Sequence, residues 1–442
     1  MNDKNVETHV FENKSISFKS FSNEFTSKLF KEFDLRAEKL GLKNKINDLF
    51  SGNKVNYTEN LGAWHTIYRD QYRPDNTFIG KKQEIELQKL HDLCSDAKNI
   101  VIIGIGGSYE GPKILLEAIN INSAEANLIF ITGSDYTEFK VKTESLDKSK
   151  TIFLVISKSF KTQEIILMLK DAISWSGEMH RFVAVTANKS AAKKYDIENI
   201  IEFDKEIGGR YSIWSEVSFL IYSLRKKDFD SFMAGGRQAD IDLREDNEFL
   251  KFVKNLSYSD IWLHNYKNKN SRAVFSYIWN WRSFSDYVQQ LEMESLGKQP
   301  LKNSKFKKTG QIIFGGYGPK AEHSYFQLLH QGTQDICVDI IAEASDEINN
   351  YSNLAAFQAI TQARLLSGGT ANKLKPEEQI NGNVPTNLFL MKSESLYELG
   401  YLIATWEHRI FIASVMMEIN PFDQFGVNVA KIYNKKYLSN KD

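Results

Sequence analysis

The sequence has few features of a secreted, membrane-bound or disulfide-bonded protein. Its two cysteines, Cys94 and Cys337, lie far apart and in neither a CxxC nor a His-rich context. Two buried thiols in a reducing compartment are expected, and a disulfide has no support in the pattern. No apolar run approaches the roughly 20 residues that span a bilayer, and the polar first residues lack the apolar core of a signal peptide. We therefore expect a cytoplasmic protein without a membrane partner.

A net charge is absent as well. Lysine plus arginine and aspartate plus glutamate both number 56, so the formal net charge is zero. No broad basic field attracts nucleic acid, and a bound phosphate must be held by local geometry. With 442 residues, of which 42% are hydrophobic and 25% charged, the chain has the composition of a soluble globular protein and the length of two domains.

Short apolar runs that alternate with helical segments fill the chain from residue 99 onward. This alternation is typical of βαβ units, in which helices cover both faces of a parallel sheet. Predicted strands are 99–105, 127–132, 151–157, 181–186 and 200–203 in a first series, and 273–278, 311–314, 336–341 and 388–391 in a second. Predicted helices include 112–119, 163–173, 284–294, 324–330, 354–366, 395–417 and a last one after Asp423.

The pattern predicts an α/β protein with three parts. Residues 1–90 show helices and loops without a clear strand, and are predicted to form an N-terminal helical segment. Residues 91–235 and 236–442 are predicted to form two α/β domains, the second of which carries C-terminal helices. We place the boundary within 225–260, where charged stretches with few apolar residues occur.

Two loops that follow predicted strands carry residues suited to an anion. The turn around Gly107 and Ser108 opens a helix, but Tyr109 breaks the dinucleotide pattern GxGxxG and no Walker lysine follows. Its spacing alone does not distinguish a ligand loop from a bare turn. The second loop, 157–162, holds Ser157, Lys158, Ser159 and Thr162. The alternative is a Ser/Thr cap on a surface helix, but a cap needs one hydroxyl, so we favour a phosphate ligand.

Four further segments contain candidates for proton transfer and charge stabilisation. Gly208-Gly209-Arg210 can aim a guanidinium, although taken alone it favours an exposed turn. In 289–298, Glu294 is a candidate base and Gln290 can orient a substrate, whereas the alternative is a solvated helix end with an i,i+4 pair between Glu294 and Lys298. The remaining candidates are His323, with His330 seven residues on, and Gln424 with Lys431. A structural histidine and a solvated lysine are the alternatives there, and no third ligand with metal spacing lies near the histidines.

These segments together resemble the glucose-6-phosphate isomerase family over nearly the whole chain. QQLEMESLGK at 289–298 is similar to the family signature QQLxMESNGK. The other similar segments, in the family's order, are NYTE at 56–59 with His65, IGGS at 105–108, SKSFKT at 157–162, GGRYS at 208–212, EHSYFQLLHQG at 322–332, and 407–431 with its FDQ at 422–424.

The resemblance implies two SIS-type (sugar isomerase) three-layer αβα domains and a homodimer with active sites between the subunits. It also implies the reversible conversion of glucose 6-phosphate and fructose 6-phosphate, a step of glycolysis and gluconeogenesis. The reaction proceeds by ring opening and a cis-enediol intermediate, with no metal and no cofactor. A small-molecule sugar phosphate is the expected partner.

Residue roles follow from the same resemblance. Glu294 carries a proton between carbon 2 and carbon 1, Arg210 stabilises the enediolate, and His323 with Lys431 nearby assists ring opening. Gln290 and Gln424 position the substrate. The phosphate is assigned to Gly107, Ser108, Ser157, Ser159 and Thr162, with Lys158 supporting the loop.

The chain departs from the family pattern without losing a proposed catalytic group. Leu296 replaces an asparagine, Lys161 adds a positive charge to the phosphate loop, and Pro319-Lys320-Ala321-Glu322 replaces TNGQ before His323. Two alternatives stay open, namely a non-catalytic sugar-phosphate sensor and an isomerase of a related substrate such as mannose 6-phosphate. A sensor needs the hydroxyl loop but not Glu294, Arg210, His323 and Lys431 together.

Overall fold

The computed structural model describes residues 9–21, 25–71, 81–119, 127–344, 351–370 and 375–439. In these ranges it contains two β-sheets with helices on both faces, so the predicted α/β class is confirmed. The strands are β1 (His9–Glu12), β2 (Ile16–Ser20), β3 (Asn99–Ile103), β4 (Asn127–Ile131), β5 (Thr151–Ile156), β6 (Phe182–Thr186), β7 (Asn199–Glu202), β8 (Ser271–Ser276), β9 (Ile312–Tyr317), β10 (Ile336–Glu343) and β11 (Thr386–Met391).

The helices in the described ranges include every one that the sequence predicts. They are α1 (Ser27–Lys39), α2 (Leu42–Phe50), α3 (His65–Gln71), α4 (Lys81–Asp96), α5 (Gly107–Ala118), α6 (Tyr136–Thr143), α7 (Gln163–Ser176), α8 (Lys189–Ala192), α9 (Phe219–Leu224), α10 (Lys226–Glu245), α11 (Asn247–Tyr266), α12 (Phe284–Leu296), α13 (Gly318–Glu322), α14 (Phe326–Gln331), α15 (Tyr351–Gly368), α16 (Leu396–Met417) and α17 (Phe425–Ser439). Of these, α10 and α11 occupy the stretch in which the domain boundary was expected.

The first sheet is wholly parallel, with the strand order β4-β3-β5-β6-β7. Its central strands are apolar on both faces because helices cover both. Ile100 and Ile102 of β3 belong to the inner core, whereas Val101 and Ile103 belong to the outer one. The reversal of strand order beside β3 is the position at which ligands bind in open α/β sheets.

The second sheet has the order β1-β2-β11-β10-β8-β9, in which β8 to β11 are parallel. The hairpin of β1 and β2 adds to it antiparallel, so the expectation of no strand in the first 90 residues was wrong. Ile16 and Phe18 of β2 are buried in alternation with partly exposed residues. Five residues are too short a pattern to indicate a strand, and β2 forms because β11 offers it a paired edge.

One inner core joins the two sheets. The helix α16 lies within it, and almost every one of its side chains is buried. It packs against α10 at close backbone distance, since a Cβ on Gly235 would meet the carbonyl oxygen of Tyr397 at 1.8 Å and one on Gly400 would meet that of Phe232 at 2.1 Å. The shared core fixes the two sheets relative to each other, and a site between them has rigid walls.

Both cysteines are buried free thiols, as expected. Burial raises the pKa of Cys94 and of Cys337 to about 12, so neither is a reactive thiolate near neutral pH. Among the described residues, no helix combines the length and the apolar character that a bilayer span requires.

Candidate active site

The two hydroxyl-bearing loops lie at one edge of the first sheet. Strands β3 and β5 pair directly, and both loops leave their carboxyl ends. The loop after β3 places Ser108 at the second residue of α5, and the loop after β5 runs through 157–162 into α7. Because neighbouring parallel strands end at the same edge, the two loops can bind one ligand.

The loop 157–162 is held by its own hydroxyl oxygens. Ser157 Oγ accepts from the backbone N–H of Phe160 at 3.2 Å, and Ser159 Oγ accepts from that of Lys161 at 3.3 Å. Their hydroxyl hydrogens are left to donate to an anion. Thr162 stands at the N-cap of α7 but makes no side-chain capping bond. The loop is therefore more than a helix cap.

The Lys158 side chain is largely buried and supports the loop 157–162 from the side of the protein interior. Its Nζ donates to the carbonyl oxygen of Ile207 at 2.8 Å, and burial lowers the pKa of its ammonium group. This contact ties the hydroxyl loop to the turn that precedes Arg210.

Glycine allows two loops to touch. A Cβ on Gly107 would lie 1.8 Å from the carbonyl oxygen of Gly209, so the turn before Ser108 packs directly against the turn before Arg210. Gly106 has a φ of +59° and faces the side-chain amide of Gln290, whose Nε2 lies 3.0 Å from an added Cβ. The first of these glycines brings the loop after β3 to Arg210, and the second brings the same loop to α12.

Arg210 is buried and fully engaged, contrary to the surface turn that its motif alone favoured. Its Nε donates to Ser295 Oγ at 2.7 Å, and its Nη1 donates to Glu294 Oε2 at 3.2 Å and to Gln424 Oε1 at 3.0 Å. Its Nη2 donates to the carbonyl oxygens of Pro421 and Asp423. With every nitrogen occupied, the guanidinium has one orientation.

Glu294 lies beside this guanidinium with 30% of its side chain exposed. Gln290, one turn earlier on α12, donates to the same carboxylate oxygen at 3.3 Å. Glu294 also lines an open cavity of about 700 Å³, together with Gln424 and Asp423. A carboxylate with an arginine on one side and a ligand-sized cavity on the other is suited to proton transfer.

The expected alternative pair between Glu294 and Lys298 is not formed. Lys298 Nζ instead lies 2.8 Å from Asp423 Oδ1 and also donates to the carbonyl oxygen of Asp423. The i,i+4 geometry of a helix does not extend to Lys298, because α12 ends at Leu296 and the backbone N–H of Lys298 donates to the carbonyl oxygen of Leu296. The lysine pairs instead with a buried carboxylate from the loop after α16.

His323 is not part of this cluster within one chain. Ser285 at the start of α12 lies near Gly316 at the end of β9, while Gln289 donates to the carbonyl oxygen of Ile313 at the start of β9. Helix and strand are thus antiparallel, and Glu294 lies beyond the amino end of β9. His323 follows its carboxyl end. The six residues of β9 and the last turn of α12 lie between Glu294 and His323. Their two side chains are therefore on the order of 20 Å apart.

The remaining predicted residues differ in what can be said of them. Gln424 contacts Arg210, as above. Lys431 lies in α17, and its side chain is outside the described part of the structure. His330 Nε2 lies 2.9 Å from Gln362 Oε1 and its ring packs against Phe326, which is a structural role. The exposed side chain of His323 makes no hydrogen bond, ion pair or ring contact with the described residues.

Sequence reasoning missed the residues that support Arg210 from behind. Tyr211 OH lies 3.0 Å from Ser295 Oγ, and the Tyr211 ring stacks on His65 at 4.6 Å between centroids. All three are buried. The one signal in the sequence that could have indicated them is position: Tyr211 follows Arg210, Ser295 follows Glu294, and His65 follows the NYTE segment. Within the described ranges there is no group of three or more His, Cys, Asp or Glu side chains that could hold a metal ion.

The chain is similar to known proteins over almost all of its length. A family model described as phosphoglucose isomerase matches residues 20–442. A glucose-6-phosphate isomerase of Wigglesworthia glossinidia brevipalpis is 33% identical, over 94% of this chain and 85% of the relative. One from Francisella tularensis subsp. holarctica is 31% identical, over 99% of this chain and 90% of the relative.

Solved structures agree in fold. A glucose-6-phosphate isomerase from Chlamydia trachomatis superimposes with a TM-score of 0.84 at 21% identity, covering 99% of this chain and 91% of the other. A tagatose-6-phosphate ketose/aldose isomerase from Escherichia coli gives a TM-score of 0.52 at 10% identity, over 82% of this chain and 95% of the other. The expected SIS-type phosphosugar isomerase fold is thereby confirmed.

Proposed function

The chain belongs to the phosphoglucose isomerase family, and from this premise we propose how it interconverts glucose 6-phosphate and fructose 6-phosphate. The reaction is an aldose–ketose isomerisation that runs in both directions and belongs to glycolysis and gluconeogenesis. The observation that carries the residue assignment is the contact between the Arg210 guanidinium and the Glu294 carboxylate, which lines a cavity of ligand size.

Glu294 acts as the base. A proton on the carbon next to a carbonyl is weakly acidic, so a carboxylate removes it only when the developing oxyanion is stabilised at once. Glu294 takes the proton from carbon 2 of the open aldose and returns it to carbon 1, while the hydroxyl proton passes from oxygen 2 to oxygen 1 through the cis-enediol. Arg210 stabilises the enediolate, because its other bonds hold it in place before the charge develops.

The phosphate end supplies orientation. Ser108, Ser157, Ser159 and Thr162 donate to the phosphate, Gly107 lets the backbone approach it, and Lys158 supports the loop. The carboxyl edge of the first sheet faces Gln290 and α12, so a sugar phosphate bound there extends its reacting carbons toward Glu294. Binding energy from the phosphate then holds the sugar in its reactive position.

Ring opening needs an acid, and the candidate acid His323 lies far from Glu294 of the same chain. We assign it to His323 of a second copy in a homodimer with sites shared between the subunits. The antiparallel packing of α12 on β9 supports this assignment, because it puts the two side chains of one chain at opposite ends of the sheet. Lys431 assists ring opening together with this histidine, and Gln290 and Gln424 position the substrate from the same chain as Glu294. We place the enzyme in the cytoplasm, a compartment in which its two thiols stay reduced.

A coupled assay with fructose 6-phosphate tests the assignment of the base. We expect Glu294→Gln to fold and bind substrate but to lose about 10²- to 10⁴-fold in kcat, the usual contribution of a general base. Glu377→Gln, on an exposed turn far from the site in sequence, is the matched control and should retain wild-type turnover. Turnover retained by Glu294→Gln would reject the assignment, and a wild-type protein that binds the sugar phosphate without turnover would favour a sensor. Mannose 6-phosphate in the same assay tests the related substrate.

A further inference from the structure

The loop 420–424 contains a carboxylate that no step of the reaction uses. Asp423 is 7% exposed. Its Oδ1 lies 2.8 Å from Lys298 Nζ, and its Oδ2 accepts from Thr58 Oγ1 at 2.7 Å. Its carbonyl oxygen accepts from Arg210 Nη2 at 3.1 Å and from Lys298. One residue thus joins the end of α12, the front segment 56–59 and the arginine at the site.

Residues on either side of Asp423 also bind Arg210. The Pro421 carbonyl oxygen and the Gln424 side-chain oxygen both accept from its guanidinium. This part of the loop is irregular, so helix and sheet hydrogen bonds do not fix it. Its position depends on side-chain contacts.

The front segment holds the other end of the loop. Asn420 Nδ2 donates to Asn56 Oδ1 at 2.8 Å and to Thr58 Oγ1 at 2.6 Å, and Asn420 Oδ1 accepts from the N–H of Phe422 at 3.0 Å. Thr58 therefore connects both ends, since it also donates to Asp423. The loop 420–424 is fully anchored only when both carboxylate oxygens of Asp423 are bound, one by Lys298 and one by Thr58.

The ion pair between Asp423 and Lys298 also affects which cation contacts Glu294. Lys298 lies just beyond the end of α12, four residues after Glu294, and the charge of the Glu294 carboxylate acts on its ammonium group. By binding Lys298, Asp423 keeps that ammonium group away from Glu294, and Arg210 remains the cation in contact with the base.

We propose that Asp423, through Lys298, is a positioning residue for the isomerisation, which holds Arg210 and Gln424 against Glu294 and keeps Lys298 off the base. The inference rests on the proposed function. It assigns a role to an ion pair that touches neither the phosphate loops nor the substrate carbons.

Steady-state kinetics on the full-length protein test this role. We expect Asp423→Asn to lower kcat by about 10- to 100-fold, the cost of misplacing catalytic groups by about an ångström. Competitive inhibition by inorganic phosphate should stay at the wild-type constant, because the loops at 108 and 157–162 are untouched. The double variant Asp423→Asn with Lys298→Met should be no slower than Asp423→Asn alone, since both changes remove one interaction.

Control variants distinguish this positioning role from a general loss of folding or stability. Lys269→Met breaks a Lys–Asp pair with Asp335 at the surface and should leave kcat and phosphate inhibition unchanged. Lys298→Met alone, half-buried at the cavity, provides a second test if Asp423→Asn folds poorly, and should lower kcat without changing phosphate inhibition. Wild-type kcat in both single variants overturns the inference. So does equal loss of kcat and phosphate affinity, or additive loss in the double variant. A wild-type protein without turnover rejects the proposed function instead.

Discussion

At the scale of single residues, Arg210 shows how little of a side chain's role its own motif reveals. Two glycines before an arginine favour an exposed turn, yet the structure buries the guanidinium and binds each nitrogen. The acceptors come from α12 and from the loop after α16, which lie far along the chain. A lysine has one nitrogen and no planar fork, and cannot bridge them. The fixed orientation supports the role proposed for Arg210, which is to stabilise a charge that develops during the reaction.

A second buried arginine, Arg69, is shared by two carboxylates. It forms ion pairs with Asp240 and Glu407, and Trp214 Nε1 donates to Glu407 at 2.8 Å. One cation cannot neutralise both carboxylates, and burial raises the pKa of Glu407 from 4.5 to about 7. His65, whose pKa burial lowers well below its usual value, lies beside this group and contributes no second cation near neutral pH.

The raised pKa of Glu407 makes folding stability depend on pH. Between about pH 4.5 and pH 7 the folded carboxyl retains a proton that the unfolded chain releases, so the contribution of Glu407 to stability is greatest below this window and is lost as the pH rises through it. We expect Glu407→Gln to flatten the slope of melting temperature against pH from 5 to 8. Thermal unfolding of both proteins in matched buffers measures this. Identical slopes would show that Glu407 is already ionised at pH 5 in the folded state.

The sequence indicated which residues are candidates for the site, but not which of them contact each other. Glu294, Gln290, Arg210 and Gln424 were each selected from local motifs, and the structure brings them together. The alternative interpretation paired Lys298 with Glu294, because helical spacing indicates only local partners, and the structure does not form that pair. Asp423 lies over a hundred residues later, and only the fold brings it to the lysine.

At the scale of elements, the strands and helices of both α/β series lie where the apolar runs predict them. Periodicity is informative there because each strand is covered by helices on both faces. The hairpin of β1 and β2 was missed, since its short strands depend on pairing with β11 rather than on their own pattern. The charged stretches near 225–260 belong to α10 and α11, whose buried faces carry the large apolar side chains.

The contact between α10 and α16 depends on glycine at two positions. A methyl group on Gly235 would overlap the backbone oxygen of Tyr397 in the neighbouring helix, which cannot yield as a flexible side chain can. We expect Gly235→Ala to destabilise the protein by about 1–3 kcal/mol through overpacking. Denaturant unfolding measures the change.

The control for this substitution is a helical glycine with free space around it. Gly426 lies in α17, and apart from the backbone of that helix no heavy atom of the described residues comes within 4 Å of an added Cβ. Gly426→Ala should leave stability unchanged or raise it by up to about 1 kcal/mol, the difference in helix propensity. Equal stability of the two variants would mean that α10 and α16 can move apart without cost.

At the scale of the whole molecule, the site is assembled from segments that the chain visits at widely separated points. The hydroxyl loops come from the first sheet, α12 comes from the second, and the loop 420–424 follows the helix buried between them. The sequence offered each segment through its motif, and their order matched the family. It could not give their distances, which depend on the inner core shared by both sheets.

The same geometry leads to a test of subunit composition. If Glu294 and His323 of one site come from different copies, a dimer of one Glu294→Gln chain and one His323→Ala chain has one site with both residues intact and one with neither. A two-fold dimer interface makes the two sites equivalent before mutation. Each variant alone has no intact site.

We therefore expect activity to return when the two inactive variants are unfolded together and refolded as a mixture. Random reassociation gives mixed dimers in half of the population, each with one working site of two, so the mixture should recover about a quarter of wild-type turnover. Each variant refolded alone is the control and should stay inactive. A mixture that also stays inactive, although size-exclusion chromatography shows dimers, would place His323 and Glu294 of a working site on the same chain. Because α12 and β9 are antiparallel and packed, that result would require the rearrangement of the edge of the second sheet.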